Sequence, residues 1–145
     1  MSQDLLRWRD YFLREGEHFD KFWRQFLNER KRDVLFVLGH GFDSRMCDGI
    51  EKMLSLGGDG VRDVALLLFH EGPESHSNSY ADQRKANGER LETLIQGRGK
   101  IGPRTITMLS DEGRRIGARK IVEEFRSSAE LRSYTDVVVD ISALP

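Results

Sequence analysis

The sequence predicts an α/β fold of the Rossmann-like, three-layer type, with a mainly parallel sheet of about four strands and an additional amphipathic helix at the N-terminus. Two observations carry this prediction: short apolar runs alternate with helical patterns from residue 33 onward, and a Gly-x-Gly turn follows the first run. Strands that alternate with helices at this spacing imply crossover connections and a parallel sheet with helices on its faces. We expect an N-terminal aromatic helix over residues 1–32 and one α/β domain over residues 33–145.

The N-terminal segment, residues 2–30, has an apolar stripe at helical spacing, with Gly16 as a candidate kink. Two interpretations remain open. The stripe covers the domain's own sheet, which we favour together with some oligomer contact, or it contacts a second copy, another chain or a further domain. The stripe consists of Leu5, Trp8, Phe12, Phe19, Phe22, Trp23 and Phe26.

The α/β region reads as three strand-helix units and a final strand. Apolar runs typical of buried parallel strands alternate with amphipathic helices, and stretches rich in Gly, Ser and Asn separate them. A doubly wound sheet commonly has about five or six strands, so the chain is either a reduced version of the fold or part of a longer protein. The predicted strands are 34–38, 64–69, 105–109 and Asp136–Asp140; the helices are 44–56, 80–96 and 111–126; 72–79 is a loop and 97–103 a turn.

Composition and charge narrow the class of protein. The chain has 145 residues, of which 38% are apolar and 32% charged, as in a folded domain. A net charge of −1 gives no overall attraction to nucleic acid or to an anionic membrane, so we expect neither as a partner. The one cysteine, Cys47, fits a reducing compartment, and no apolar run approaches the roughly 20 residues of a membrane span. We expect a cytoplasmic location.

The turn after the first strand is the best candidate for a ligand site. Gly39 and Gly41 permit a tight turn and a close backbone approach, and the next helix offers free N–H groups to a phosphate, a ribose or a carboxylate. Ser44 and Arg45 stand where a third glycine of the dinucleotide fingerprint would fall. Contact through side chains is therefore more favoured here than a pyrophosphate lying on the turn.

Three side chains of this turn have alternative interpretations. Asp43 accepts hydrogen bonds from ribose hydroxyls or caps the next helix. Arg45 binds a phosphate or carboxylate, or is an exposed residue of the first turn. His40 is a general base, or, as we favour, a turn residue whose hydrogen bonds are satisfied within the fold.

The string Gly39-His40-Gly41-Phe42-Asp43 after a buried strand resembles the start of phage-defence proteins of the AbiH type and, more loosely, the turn of SIR2-like NAD-consuming enzymes. Extended from Val37 to Arg45, it also resembles the first motif of S-adenosylmethionine methyltransferases. The resemblances imply that Gly39, Gly41, Phe42, Asp43 and Arg45 hold a cofactor, either NAD or S-adenosylmethionine. The methyltransferase pattern also places an acidic residue at the end of the second strand, where Glu71 stands about ten residues later than usual.

Polar residues follow every predicted strand, and parallel strands bring their carboxyl ends to one edge of the sheet. We expect them to converge on a ligand site there. Glu71, Asp140 and His40 are the candidate catalytic acid–base residues, and Asp111 is a candidate cofactor-binding residue. The full set is His40, Asp43, His70, Glu71, Ser110, Asp111, Asp140 and Ser142.

The helix predicted over 80–96 places polar residues on its inward stripe. Arg84 and Asn87 precede Leu91 and Ile95 on that face, and burying them without partners would be costly. Either this end of the helix is exposed to solvent, or Arg84 and Asn87 line a polar pocket and contribute to cofactor binding.

These observations predict a domain that binds a small-molecule nucleotide, in an enzyme that hydrolyses or transfers NAD or a related nucleotide, with a role in phage defence implied by the resemblance. A methyltransferase that uses S-adenosylmethionine and a non-catalytic sensor or oligomerisation module are the alternatives. The spacing from His70 to His76 matches no common zinc motif, so we expect no metal site.

Overall fold

The computed structural model describes residues 13–126 and 129–145, which form a parallel sheet with helices on both of its faces. Two short 3₁₀ segments, His76–Tyr80 and Ala129–Ser133, precede α3 and β4. In chain order the elements are α1 Gly16–Asn28, β1 Val34–Gly39, α2 Asp48–Ser55, β2 Arg62–His70, α3 Ala81–Ile95, β3 Ile101–Thr107, α4 Gly117–Arg126 and β4 Asp136–Asp140.

The sheet has the strand order β3-β2-β1-β4, and all of its neighbouring pairs are parallel. Phe36 of β1 is paired with Val64 of β2 on one side and with Val138 of β4 on the other. The connection from β2 to β3 moves outward from β1, and the connection from β3 crosses back to place β4 on its other side. This arrangement confirms the predicted Rossmann-like, mainly parallel α/β fold.

The core lies on both faces of β1, all six residues of which are buried. On one face, Phe36 and Leu38 pack with apolar residues of α1, α2 and α3. On the other face, Leu35 and Val37 pack with residues of α4 and of the segment around β4. A strand covered on both faces has no polar side, which explains its continuous apolar run.

The helix α1 packs on the domain's own sheet through one apolar side. Leu27 is buried, and Phe19, Trp23 and Phe26 pack against the core beside it. The Trp23 and Phe26 rings meet edge to face, with their centroids 5.4 Å apart. The prediction for residues 2–12, including Trp8 and Phe12, lies outside the described residues. None of the helices in the described part of the chain combines the length and apolar character that a membrane span requires.

Several predicted boundaries were wrong. The N-terminal helix, predicted over residues 2–30 with a kink at Gly16, begins at Gly16, where φ is +54°, and residues 13–15 are not helical. The stretch 97–103, predicted as a turn, contains the start of β3 at Ile101; Pro103 is tolerated because β3 is an edge strand. The helix α4 begins at Gly117, not at 111, because Gly113 has a φ of +76° and the chain reverses there. The helix α2 begins at Asp48, after a turn over 44–47, not at 44.

A buried carboxylate fastens the amino end of the sheet. Asp63, which is 7% exposed, accepts a hydrogen bond from the Lys100 N–H at 2.8 Å and another from the Tyr134 hydroxyl at 2.6 Å. Burial, and then the hydrogen bond to Asp63, raise the pKa of Tyr134 to about 12. The contact joins β2 to the segment that leads into β4.

Tyr134→Phe should lower the free energy of unfolding by about 1–3 kcal/mol at neutral pH, because it removes a hydrogen bond to a buried carboxylate. Since the pKa of Tyr134 is raised from 10.0 to about 12, the stability that this phenol contributes is complete below pH 10 and is lost as the pH rises toward 12. Urea unfolding across this range should show the advantage of the wild type over the variant shrinking.

Tyr80→Phe is the matched control, since the Tyr80 hydroxyl makes no hydrogen bond to the described residues. It should follow the wild type at every pH. If the difference in free energy of unfolding between wild type and Tyr134→Phe is unchanged at pH 12, the stabilising role of the hydrogen bond from Tyr134 to Asp63 is contradicted.

Candidate functional site

Two adjoining hollows open at the carboxyl ends of β1 and β2. The small hollow has a volume of about 330 Å³ and the large hollow about 1050 Å³. They share Phe42, Glu71, Ser77 and Pro145, so they form one cleft. The small hollow is further lined by His40, Gly41, Asp43, Phe69, Arg84 and residues 142–144, and the large hollow by Met108, Leu109, Arg115, Ile116 and the start of α4, among others.

Glu71, the first residue after β2, stands between the two hollows. Its Oε2 accepts hydrogen bonds from the Ser75 hydroxyl at 2.5 Å and from the Ser77 hydroxyl at 3.0 Å. These two hydrogen bonds, and to a smaller extent the positive charges of Arg84 and Arg115, lower the pKa of Glu71. Its Oε1 accepts no hydrogen bond from the described residues. Glu71 is therefore an ionised acceptor at neutral pH and not a proton donor.

His40 connects the glycine turn to α3. Its Nε2 lies 2.7 Å from the Arg84 carbonyl oxygen, and the absence of a side chain on Gly88 leaves room for the ring. Because a carbonyl only accepts, the geometry assigns the proton to Nε2 and leaves Nδ1 as the basic nitrogen. One ring nitrogen of His40 is thus satisfied within the fold, and the residue also lines the small hollow.

Asn87 holds the turn after β1 in place through hydrogen bonds from α3. It is 7% exposed, and its Nδ2 donates to the carbonyl oxygens of Gly41 at 2.9 Å and Asp43 at 2.8 Å. The Cys47 thiol, which is fully buried, lies 3.6 Å from the Asn87 carbonyl oxygen. The polar half of the inward stripe of α3 is therefore not left in solvent: Asn87 supports the turn, and Arg84 lines the hollow above it.

Asp43 and Arg45 contact each other. Asp43 Oδ1 accepts from the Arg45 backbone N–H at 2.8 Å, and Oδ2 accepts from Arg45 Nη2 at 2.7 Å. The hydrogen bond from the Arg45 side chain, followed by the one from its backbone, lowers the pKa of Asp43 to about 2. Asp43 therefore does not cap α2, whose N-cap is Cys47, and instead pairs with Arg45 at the surface.

The space that Gly39 and Gly41 provide is occupied by the chain itself. A Cβ on Gly39 would overlap the carbonyl oxygen of Ala143, and a Cβ on Gly41 would lie 3.0 Å from the Ala143 Cβ. The segment after β4 therefore crosses directly over the turn. Gly39 is required for this close approach, and a side chain at Gly41 would force Ala143 to shift slightly.

Phe42, which lines both hollows, and Arg84, which lines the small hollow, add an aromatic ring and a cation to the cleft. The rings of Phe42 and Tyr80 are stacked, with centroids 4.4 Å apart and planes 16° from parallel, and both side chains remain more than two-fifths exposed. The Arg84 side chain is half-buried and forms neither a hydrogen bond nor an ion pair with the described residues. An aromatic face and an unpaired guanidinium are suited to a planar, anionic ligand.

Not every predicted site residue joins the cleft. Asp140 accepts from the Ser142 N–H at 2.9 Å and points toward Gly49 of α2, and Asp111 is exposed in the turn before α4; neither lines a hollow. Ser75 and Ser77 do contribute to the cleft. The cluster of serines that follows Glu71 was the feature of the sequence that could have indicated them. Ala143 was missed, and nothing in the local sequence points to it. Among residues 13–126 and 129–145, no three His, Cys, Asp or Glu side chains form a group that could hold a metal ion.

Comparison with known proteins yields no match: no family model fits the chain, and no curated protein or solved structure is significantly similar to it. The fold and the cleft are thus the basis for any functional conclusion.

Asn87→Ala should lower the free energy of unfolding by about 1–3 kcal/mol, since it leaves two carbonyl groups of the turn without their donor. Asn87→Asp should be at least as destabilising, because a carboxylate cannot donate to a carbonyl. Urea unfolding measures both. Lys85→Ala, an exposed change in the same helix, is the control and should shift stability by less than about 0.5 kcal/mol. Asn87→Ala as stable as this control would mean that Asn87 does not hold the turn.

Proposed function

We propose that the protein is a nucleotide-binding domain of an enzyme that acts on NAD or a related nucleotide, and that the ribose of the ligand binds to Glu71. The position of Glu71 carries the proposal. It directly follows β2, beside the Gly-x-Gly turn of β1, and in dinucleotide folds an acidic residue at this place accepts hydrogen bonds from the ribose hydroxyls. Here Oε2 of the carboxylate already accepts hydrogen bonds from two serine hydroxyls.

The large hollow supports a base next to this ribose. Met108, Leu109 and Ile116 give it an apolar wall, and Phe42 offers an aromatic face at its boundary with the small hollow. Cavities of about 300–1,000 Å³ with apolar walls and a few directed polar groups are typical of small-molecule sites. The nucleoside would therefore span the boundary, with its base in the large hollow and its ribose at Glu71.

His40 supplies the acid–base chemistry in this proposal. With Nε2 protonated and bound to the Arg84 carbonyl, Nδ1 is the ring nitrogen left as an acceptor, and His40 lines the small hollow. Glu71, being ionised, binds and orients. For a role in phage defence, the support is the resemblance of Gly39 to Asp43 to proteins of the AbiH type.

A methyltransferase that uses S-adenosylmethionine is the second candidate, and the start of α2 favours it. The helix begins only at Asp48, and its first turn carries Asp48 and Glu51, which are both ion-paired with Arg90. A phosphate prefers a helix that starts directly after the glycines and presents free N–H groups. A nucleoside ligand without a phosphate at this turn satisfies both the position of Glu71 and the late start of α2.

A thermal-shift panel tests the proposal. NAD, nicotinamide mononucleotide or ADP-ribose should raise the Tm if the first candidate holds, and S-adenosylhomocysteine if the second does. No shift with any nucleotide or nucleoside would overturn both and favour the sensor or oligomerisation module.

Glu71→Gln should weaken binding of whichever nucleoside ligand responds by about tenfold or more, because a neutral amide is a poorer acceptor for the two ribose hydroxyls. Isothermal titration calorimetry measures the change. Glu89→Gln, an exposed change on α3 outside both hollows, is the matched control and should bind as the wild type does. Equal affinity of Glu71→Gln and Glu89→Gln would contradict the role of Glu71.

A further inference from the structure

The Gly39–Gly41 turn does not offer its glycine space to a ligand. The turn is where a phosphate would be sought from the sequence, but Ala143 lies against both glycines. A ligand group cannot share the space into which the Ala143 carbonyl and Cβ already project.

Arg84 offers the alternative. Among the described residues that line the small hollow, it is the only Arg or Lys, and its guanidinium has no partner within the described chain. Its backbone is held in place by the hydrogen bond from His40. A half-buried guanidinium without a partner is poised to bind an anion, since it presents several donors in a planar fork that matches phosphate or carboxylate.

The charges in the small hollow leave Arg84 available. Asp43 is neutralised by Arg45 at the surface, and Glu71 is satisfied by Ser75 and Ser77 without forming an ion pair with Arg84. A ligand that carries neutral hydroxyls at one end and a negative charge a few bonds away matches Glu71 and Arg84 together.

From this geometry we infer that Arg84 binds the anionic group of the ligand, and that the ligand is a nucleoside bearing a single phosphate or carboxylate close to its ribose. The inference rests on the proposed function, because it places the ribose at Glu71, and it narrows the ligand of that function from NAD to a related mononucleotide such as nicotinamide mononucleotide, or to S-adenosylmethionine. A pyrophosphate extended over the Gly39–Gly41 turn is not accommodated while residues 142–145 line the hollow.

Calorimetry with adenosine, AMP and S-adenosylhomocysteine tests the role of Arg84. Wild type should bind AMP or S-adenosylhomocysteine at least about tenfold more tightly than adenosine. Tighter binding of AMP identifies phosphate as the anion, and tighter binding of S-adenosylhomocysteine identifies carboxylate. Arg84→Gln should abolish the gain and leave adenosine binding unchanged, and Arg84→Lys should keep part of it. Lys85→Gln, its exposed neighbour on α3, should behave as the wild type.

The outcomes separate this inference from the proposed function. Two outcomes would overturn the inference and leave the proposed function standing. In both, adenosine binding depends on Glu71. Either the anionic group adds no affinity, or the added affinity survives Arg84→Gln. No binding of any of these compounds overturns both.

A double substitution tests the role of the turn. Gly41→Ala should lower the Tm by a few degrees because the new Cβ meets that of Ala143, and Ala143→Gly in the same chain should restore it. The double variant should bind the preferred anionic ligand within about twofold of wild type. Recovery of the Tm without recovery of binding would show that the turn holds the anion and would overturn the inference.

Discussion

The position of β1 at the centre of the sheet is the constraint on which the cleft depends. Its residues are buried on both faces, and its backbone is paired with β2 on one side and β4 on the other. The end of such a strand cannot shift without disturbing two ladders, so the Gly39–Gly41 turn emerges at a fixed place. Asn87 and His40 then fasten the turn to α3. One wall of the cleft is therefore rigid before any ligand binds, which lowers the cost of binding.

The hydrogen-bond donors that Glu71 already has determine which contacts a ligand would replace in the cleft. An ion pair with Arg84 would have to be broken before either residue could bind anything else. Serine hydroxyls hold the carboxylate instead, and a ligand hydroxyl can replace a serine hydroxyl by a hydrogen bond of the same kind. The Glu71 carboxylate thus remains ionised and can exchange one hydrogen-bond donor for another, and the Arg84 guanidinium remains unpaired.

The sequence predicted those parts of the molecule that follow from local pattern. The apolar run of β1 and the bounds of β4 are strong signals, and both strands lie where they were expected. The start of β3 was missed because Pro103 reads as a turn residue unless the strand is known to lie at an edge. The sequence suggested Asp43 as a cap because the turn over 44–47 could not be told from the first turn of a helix; α2 begins only at Asp48, and Asp43 pairs with Arg45. The approach of Ala143 to Gly39 joins residues far apart in the chain, and no periodicity or motif encodes it.

A Gly-x-Gly turn after a buried strand indicates that something approaches the backbone closely, but it does not indicate what. In dinucleotide folds the glycine space and the N–H groups of the next helix act together on one pyrophosphate. In this chain the two features are separated, because Ala143 fills the space and a turn over 44–47 delays the helix to Asp48. In the proposed site, recognition of an anion therefore falls to a side chain. A guanidinium binds phosphate and carboxylate alike, so in the proposed site selectivity for the ligand lies in the ribose contact to Glu71 and in the apolar wall of the large hollow.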